Sequence, residues 1–207
     1  MKRPKSPAAP PRPSPIPSSN SQPEVPAMSV NHPILDLMNE HRLIEKVLQA
    51  LDARLASSPP APFPADFVEQ ALDFLLHFAD GCHHYKEEEA LFPALAERGV
   101  PVEGGPIGMM LHEHTVGREC LAGIRENLPS ARTGNPDAIA RLRKFATEYA
   151  SLLRNHIWKE DNILFKMAGH ALDSATLDRL TVTFNHERNP RVNSQLRARY
   201  LAFVSSL

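Results

Sequence analysis

Adding 73 to the residue numbers of one apolar stripe in this 207-residue sequence reproduces a second stripe with the same polar interruption. Ile34, Leu37, His41, Ile44, Leu48, Leu51 and Leu55 recur in alternating steps of three and four, the spacing of a helix face turned into a bundle. Shifted, they become Ile107, Met110, His114, Gly117, Leu121, Ile124 and Leu128. The same offset carries Leu72, Leu76, Ala79, His83, Glu87, Ala90 and Ala94 onto Phe145, Tyr149, Leu152, His156, Glu160, Ile163 and Met167. Local segments agree, since His83-His84-Tyr85-Lys86-Glu87 followed by Leu91-Phe92 parallels His156-Ile157-Trp158-Lys159-Glu160 followed by Leu164-Phe165. Two copies of a helical hairpin are most simply an all-α, antiparallel up-and-down four-helix bundle. No run alternates with period two over a convincing strand length.

Prolines set the boundaries, because proline is tolerated in a first helical turn and blocks a helix elsewhere. Pro33 opens a first helix to about Ala56, followed by a loop from Ser57 to Pro64. A second helix runs from about Ala65 to Arg98 and must accommodate or end near Pro93. Gly104-Gly105-Pro106 opens a third, which Pro129 closes, and Asn135-Pro136-Asp137 starts a fourth that reaches Gly169. Nine of the 20 prolines fall between Pro4 and Pro26 among Ser, Ala and basic residues. Residues 1–27 are therefore expected to be a disordered tail, one that could also serve a protein partner recognising proline-rich segments. The bundle is expected over 28–170, with Met28 at its start, and a short helical extension over 171–207 docked by Leu177, Leu180, Leu196 and Leu201.

Lys plus Arg (23) nearly balances Asp plus Glu (24), which lacks the basic excess of a nucleic-acid binder. No apolar run is long enough to span a bilayer, and the first 27 residues hold no secretory signal, so a cytoplasmic, membrane-free protein is expected. Cys82 and Cys120, the only two cysteines, exclude a disulfide scaffold or a four-cysteine zinc site within one chain. Both are expected to pack as small hydrophobes.

Four histidines and two glutamates stand on stripe positions where a structural bundle would place Leu or Ile. Any one of those histidines alone reads as a hydrogen-bonded core residue. Two buried carboxylates on facing helices, however, cost several kcal/mol unless paired or coordinated. Residues four apart on a helix are about 5 to 6 Å from each other, so His83 with Glu87 and His156 with Glu160 can each close on one ion. Imidazole with carboxylate suits iron, manganese or zinc, and the absence of thiolates disfavours a structural zinc knot. His41, His83, Glu87, His114, His156 and Glu160 form the candidate metal set. His32, His112, His170 and His186 are expected to be exposed, Glu88, Glu89 and Asp161 to form a solvated face, and Lys86 and Lys159 either to neutralise nearby carboxylates or to lie on the surface.

Glu40-His41, Cys82-His83-His84-Tyr85-Lys86-Glu87-Glu88 with Leu91-Phe92-Pro93, Gly105-Pro106-Ile107-Gly108 with Glu113-His114, and His156-Ile157-Trp158-Lys159-Glu160-Asp161 together resemble the hemerythrin-like, or HHE cation-binding, family over roughly residues 31–170. The resemblance implies a left-handed bundle holding two non-haem iron ions, bridged by Glu87, Glu160 and an oxo or hydroxo group, with His41, His83, His114 and His156 as terminal ligands. Manganese and zinc are the lesser alternatives. A fifth imidazole, usual in the family, must break the copy symmetry: His84 lies about 60° from Glu87 on a helical wheel and His77 about 80° and two turns away, which favours His84. Filling the ligand positions of two six-coordinate irons this way leaves one open, facing Leu76, Phe92, Ile163 and Phe165. Dioxygen, nitric oxide or peroxide fits such a site better than a large substrate.

Two departures weaken a transfer of reversible oxygen carriage. His114 is followed four residues later by Arg118 where oxygen-carrying members have a second histidine, and Glu160 comes four residues after His156 where they have an aspartate at five, leaving Asp161 as the older alternative. The leading expectation is a di-iron protein that binds or reduces a small oxidant; the alternative is an iron- or oxygen-sensing or iron-handling module acting through a partner. Members that repair iron–sulfur centres carry an additional cysteine-containing N-terminal domain, absent from this tail, which argues against repair.

Overall fold

The computed structural model describes residues 1, 32–56, 62–184 and 194–207. The proposed tail, apart from Met1, lies outside the described residues, as do most of the Ser57–Pro64 loop and His186. Helix α1 spans Pro33–Leu55. The second long rod is continuous but mixed: α2 (Ala65–Phe74), a π-helical stretch π1 (Leu75–His84), a π-helical turn π2 (Glu87–Leu91) and α3 (Phe92–Glu97). Helix α4 spans Pro106–Arg132. The fourth rod joins α5 (Pro136–Lys159), a π-helical turn π3 (Glu160–Leu164) and α6 (Phe165–Ala171). Helices α7 (Ser174–Phe184) and α8 (Ser194–Ser205) follow. The described residues contain no strand. Helix α1 packs on α2, π1 and α5, and α4 packs on α2, π1 and α5, which closes the predicted four-rod bundle.

Sequence punctuation is mostly obeyed, with one exception. Asn135 caps α5 by accepting a hydrogen bond from the Ala138 N–H at 3.0 Å, after Gly134 reverses the chain at φ 85°. Pro93 sits in the first turn of α3, where its missing N–H is tolerated. Pro129, expected to close α4, instead lies inside it, three residues before its end. It is exposed, so the carbonyl four residues earlier that loses its partner can be hydrated.

The π-helical turns correct the predicted stripe. Each lets a residue bond five positions back: the Phe92 N–H reaches the Glu87 carbonyl and the Phe165 N–H reaches the Glu160 carbonyl. The inserted residue rotates everything beyond it. Leu91, Phe92 and Leu95 are buried where Ala90 and Ala94 were expected, and Leu164, Phe165 and Ala168 are buried where Ile163 and Met167 were expected. Ile163 is 47 % exposed and cannot wall the site, while Leu76 sits at a surface groove beside Leu72 and Leu128.

The C-terminal helices dock on the bundle. Leu180 and Phe184 of α7 and Tyr200 and Val204 of α8 are buried, whereas Leu201 faces solvent, against expectation. Tyr200, one residue away on the helix, takes the docking face because its ring packs edge-on against Phe74 at 5.7 Å and Phe78 at 6.2 Å.

Helices α4 and α5 approach so closely at Gly123 that a Cβ there would stand 2.5 to 2.6 Å from the Phe145 ring, including its Cγ. The ring base cannot yield without moving the helices. Gly123→Ala should therefore cost about 1 to 3 kcal/mol despite its better helix propensity, read as a lower urea midpoint. A neutral or stabilising effect would refute this packing.

Candidate metal centre

The predicted site residues meet at one level of the bundle. Helix α1 supplies His41, π1 supplies His83 and His84, π2 supplies Glu87, α4 supplies His114, α5 supplies His156, and Glu160 opens π3. All seven side chains are buried. Among the described residues they form two groups whose donor atoms lie within 4.8 Å of one another: His41, His83, Glu87 and Glu160, and His84, Glu87, His114 and His156. Glu87 belongs to both, its Oε1 3.5 Å from His83 Nε2 and its Oε2 3.6 Å from His114 Nε2. Glu160 Oε2 lies 3.1 Å from His41 Nε2 and 3.2 Å from His156 Nε2, so it too stands between the groups.

His84, rather than His77, joins the cluster. His77 is more than half exposed and pairs with Asp73 at 3.6 Å. His112 and His170 are exposed, as expected. Cys82 and Cys120 are buried.

Behind each imidazole stands a carboxylate at Nδ1: Asp161 on His41 at 2.7 Å, Glu40 on His83 at 3.3 Å, Asp80 on His84 at 3.2 Å, Glu88 on His114 at 2.7 Å and Glu113 on His156 at 3.0 Å. Cations hold these acids in turn. Lys86 donates to Glu40 at 2.6 Å, Arg118 donates to Asp80 at 2.8 Å and to Glu88 at 2.7 Å, Arg42 pairs with Asp161, and Lys159 pairs with Glu113. The expected solvated face of Glu88 and Asp161 is thus a carboxylate layer inside the site, and Lys86 is buried against Glu40. The 73-residue offset held the signal: it maps Glu40, Lys86 and Glu88 onto Glu113, Lys159 and Asp161. The aspartate kept in reserve as a ligand, Asp161, serves from behind His41. Arg118, standing where a second histidine was the family pattern, holds the acids behind His84 and His114.

An acid at Nδ1 requires that nitrogen to donate, which leaves each neutral ring with a bare Nε2 lone pair facing the centre. His114 Nε2 and His156 Nε2 are only 3.1 Å apart, so two lone pairs would repel without a proton or a metal between them. Nε2 of His41, His83 and His84, and all four oxygens of Glu87 and Glu160, have no hydrogen-bond partner. Natural cores rarely tolerate so many unsatisfied buried polar atoms in one place.

Electrostatics points the same way. Burial, reinforced by the charge of Glu160, pushes the Glu87 carboxyl well up, while against burial His156 and His41 hold Glu160 well down. Burial lowers His83 to about 4, and burial with the neighbouring His114 and His156 depresses His84. Burial would also lower His156, yet Glu160 and Glu113 raise it to about 9. Without a cation the cluster must retain protons to offset its own charge.

Inward Nε2 atoms and shared carboxylates in a four-helix bundle define a histidine- and carboxylate-based metal-binding bundle. The chain belongs to the family described as the hemerythrin HHE cation-binding domain, which it matches over residues 32–168. It is similar to the iron-sulfur cluster repair protein DnrN of Neisseria gonorrhoeae, 30% identical over 66% of this chain and 87% of that protein. It is also similar to the iron-sulfur cluster repair protein YtfE of Escherichia coli O157:H7, 28% identical over 67% of this chain, and here it spans only 64% of the relative's length. No solved structure matches the chain.

Proposed function

We propose that this chain is a non-haem di-iron protein that binds or reduces a small oxidant: dioxygen, nitric oxide or peroxide. The observation that carries the reading is Glu87, common to both donor groups, together with Glu160, whose Oε2 stands between His41 of one group and His156 of the other, so that two cations would have carboxylates in common. His41 and His83 would serve one ion and His84, His114 and His156 the other, which would leave the ion with two imidazoles fewer protein donors and room for the oxidant. Imidazole-rich donors with carboxylates suit iron, and the two relatives carry iron in their names. When bound, a ferrous pair supplies electrons and a coordination position for the oxidant. The protein contributes fixed ring orientations through the five Nδ1 acids and apolar walls: Phe165 stacks on His41 at 5.4 Å and Phe92 on His114 at 5.9 Å. Among the described residues no helix is long and apolar enough to cross a membrane.

Protein purified without a histidine tag and loaded anaerobically with ferrous iron should hold two irons per chain and change its absorption on adding oxygen, nitric oxide or peroxide. An unchanged spectrum with all three would end the oxidant reading. His41→Ala with His114→Ala removes one donor from each group and should cost most of the metal, whereas His112→Ala with His170→Ala should cost none. Equal losses would count against this ligand set. A second reading, iron handling for iron–sulfur centres, is favoured by the names of DnrN and YtfE. Iron transfer to an iron-depleted cluster protein, without any response to oxidants, would support it instead.

A further inference from the structure

The two copies are not equally enclosed. Glu113 and Lys159, behind His156, retain 12 % and 27 % side-chain exposure, whereas their counterparts Glu40 and Lys86, behind His83, are each 3 % exposed. The difference comes from α7 and α8, which lie beyond the family match at residue 168. Lys86 Nζ rests 5.5 Å from the Phe184 ring of α7. Arg197 of α8 donates to Glu40 Oε1 at 3.3 Å, the oxygen Lys86 also uses, while Glu40 Oε2 faces His83 Nδ1. Its guanidinium also stands 5.9 Å from the Phe78 ring, and Tyr200 anchors the same helix on Phe74 and Phe78. The 73-residue repeat, which ends with the fourth rod, supplies no counterpart of Arg197.

We propose that Arg197 is a positioning residue through which the C-terminal helix α8 tunes the His83 half of the centre. The inference rests on the two-ion reading and adds control of the ion with two imidazoles. A second cation on Glu40 withdraws negative charge from the carboxylate that accepts the His83 Nδ1 proton. His83 then keeps that proton more fully, donates less charge through Nε2, and leaves its ion a stronger Lewis acid. Removing Arg197 makes Glu40 a stronger acceptor, His83 a more imidazolate-like donor, and the ion a weaker binder of anions. The sign is fixed by the geometry.

The test is an azide titration of the oxidised, iron-loaded full chain, followed by absorption. Arg197→Met should keep the wild-type iron content but weaken azide binding by about threefold to tenfold, below the full effect of losing a direct partner of a ligand. Arg197→Lys should recover most of that affinity, and Arg199→Met, on the same helix but paired with the surface residue Asp73 away from the centre, should leave it unchanged. In the metal-free protein, proton NMR should show the His83 Nδ1 proton shifted in Arg197→Met and restored in Arg197→Lys. Unchanged azide affinity in Arg197→Met, an equal loss in Arg199→Met, or no recovery with lysine would overturn the proposal. Failure of the wild type itself to take up two irons would instead overturn the di-iron reading beneath it, and a moved His83 proton in that case would still establish Arg197 as positioning Glu40.

Discussion

Replacing Glu87 by leucine should abolish metal binding at both positions and, in the same molecule, make the metal-free protein more stable. Glu87 is the one residue common to both donor groups, so a single substitution removes an oxygen from each. Neither of its buried oxygens has a hydrogen-bond partner, and burial together with Glu160 pushes its carboxyl well up. Without a cation that carboxyl only costs: an unsatisfied buried polar group is worth about 1 to 3 kcal/mol of destabilisation, which leucine of similar size removes. Elemental analysis and urea unfolding in the presence of a chelator read the two effects separately. Retention of both ions, or a drop in metal-free stability, would contradict the role given to Glu87. A purely structural glutamate would produce the opposite stability change.

Lys86→Met should destabilise the metal-free protein by about 3 kcal/mol at neutral pH, because it strands Glu40 in the interior. Lys86 and Glu40 are both 3 % exposed and 2.6 Å apart, and Arg197, the other cation on Glu40, sits farther away at 3.3 Å. Burial alone would raise the Glu40 carboxyl, yet Lys86 and His83 hold it well below its ordinary 4.5. A depressed carboxyl contributes stability that is fully present above the unfolded value and is lost as pH falls through the folded one. The wild type should therefore lose stability on acidification below about pH 4.5, and the deficit of Lys86→Met should shrink over the same range. Adding Glu40→Met to Lys86→Met should recover most of the loss, because the buried carboxylate is then gone and the remaining cation, Arg197, is 27 % exposed and can be hydrated. Urea unfolding at several pH values checks both signs, and a deficit independent of pH would show that Lys86 acts through packing alone.

Much of the centre was legible in the chain because its chemistry is carried by a repeat. His41 and His114, His83 and His156, and Glu87 and Glu160 recur at one offset, on faces that helical spacing turns inward. Four of the five acids behind the histidines recur at the same offset, Asp80 alone being matched by a leucine, Leu153, but Glu88 and Asp161 look like ordinary solvated helix residues until their partners on other helices are known. Asp161 lies 120 residues from His41 and Glu88 lies 26 from His114. Ile163 was misread for a different reason: a π-helical turn leaves no mark in hydrophobic spacing beyond the shift that it causes. Leu91-Phe92 and Leu164-Phe165 carried that shift, and the α-helical period hid it.

By itself the sequence determined the four rods, their pairing as two like hairpins and the donor atoms available at their centre, since each depends on spacing within a few helical turns. Helical angle already favoured His84 over His77, but tertiary structure alone decided which acid stands behind each imidazole, that Ile163 turns outward, and that α8 brings Arg197 to one half only. Those outcomes depend on the rotation of each helix about its axis. That rotation is set by how neighbouring rods pack, because buried carboxylates and cations must find one another across the bundle whatever their separation along the chain.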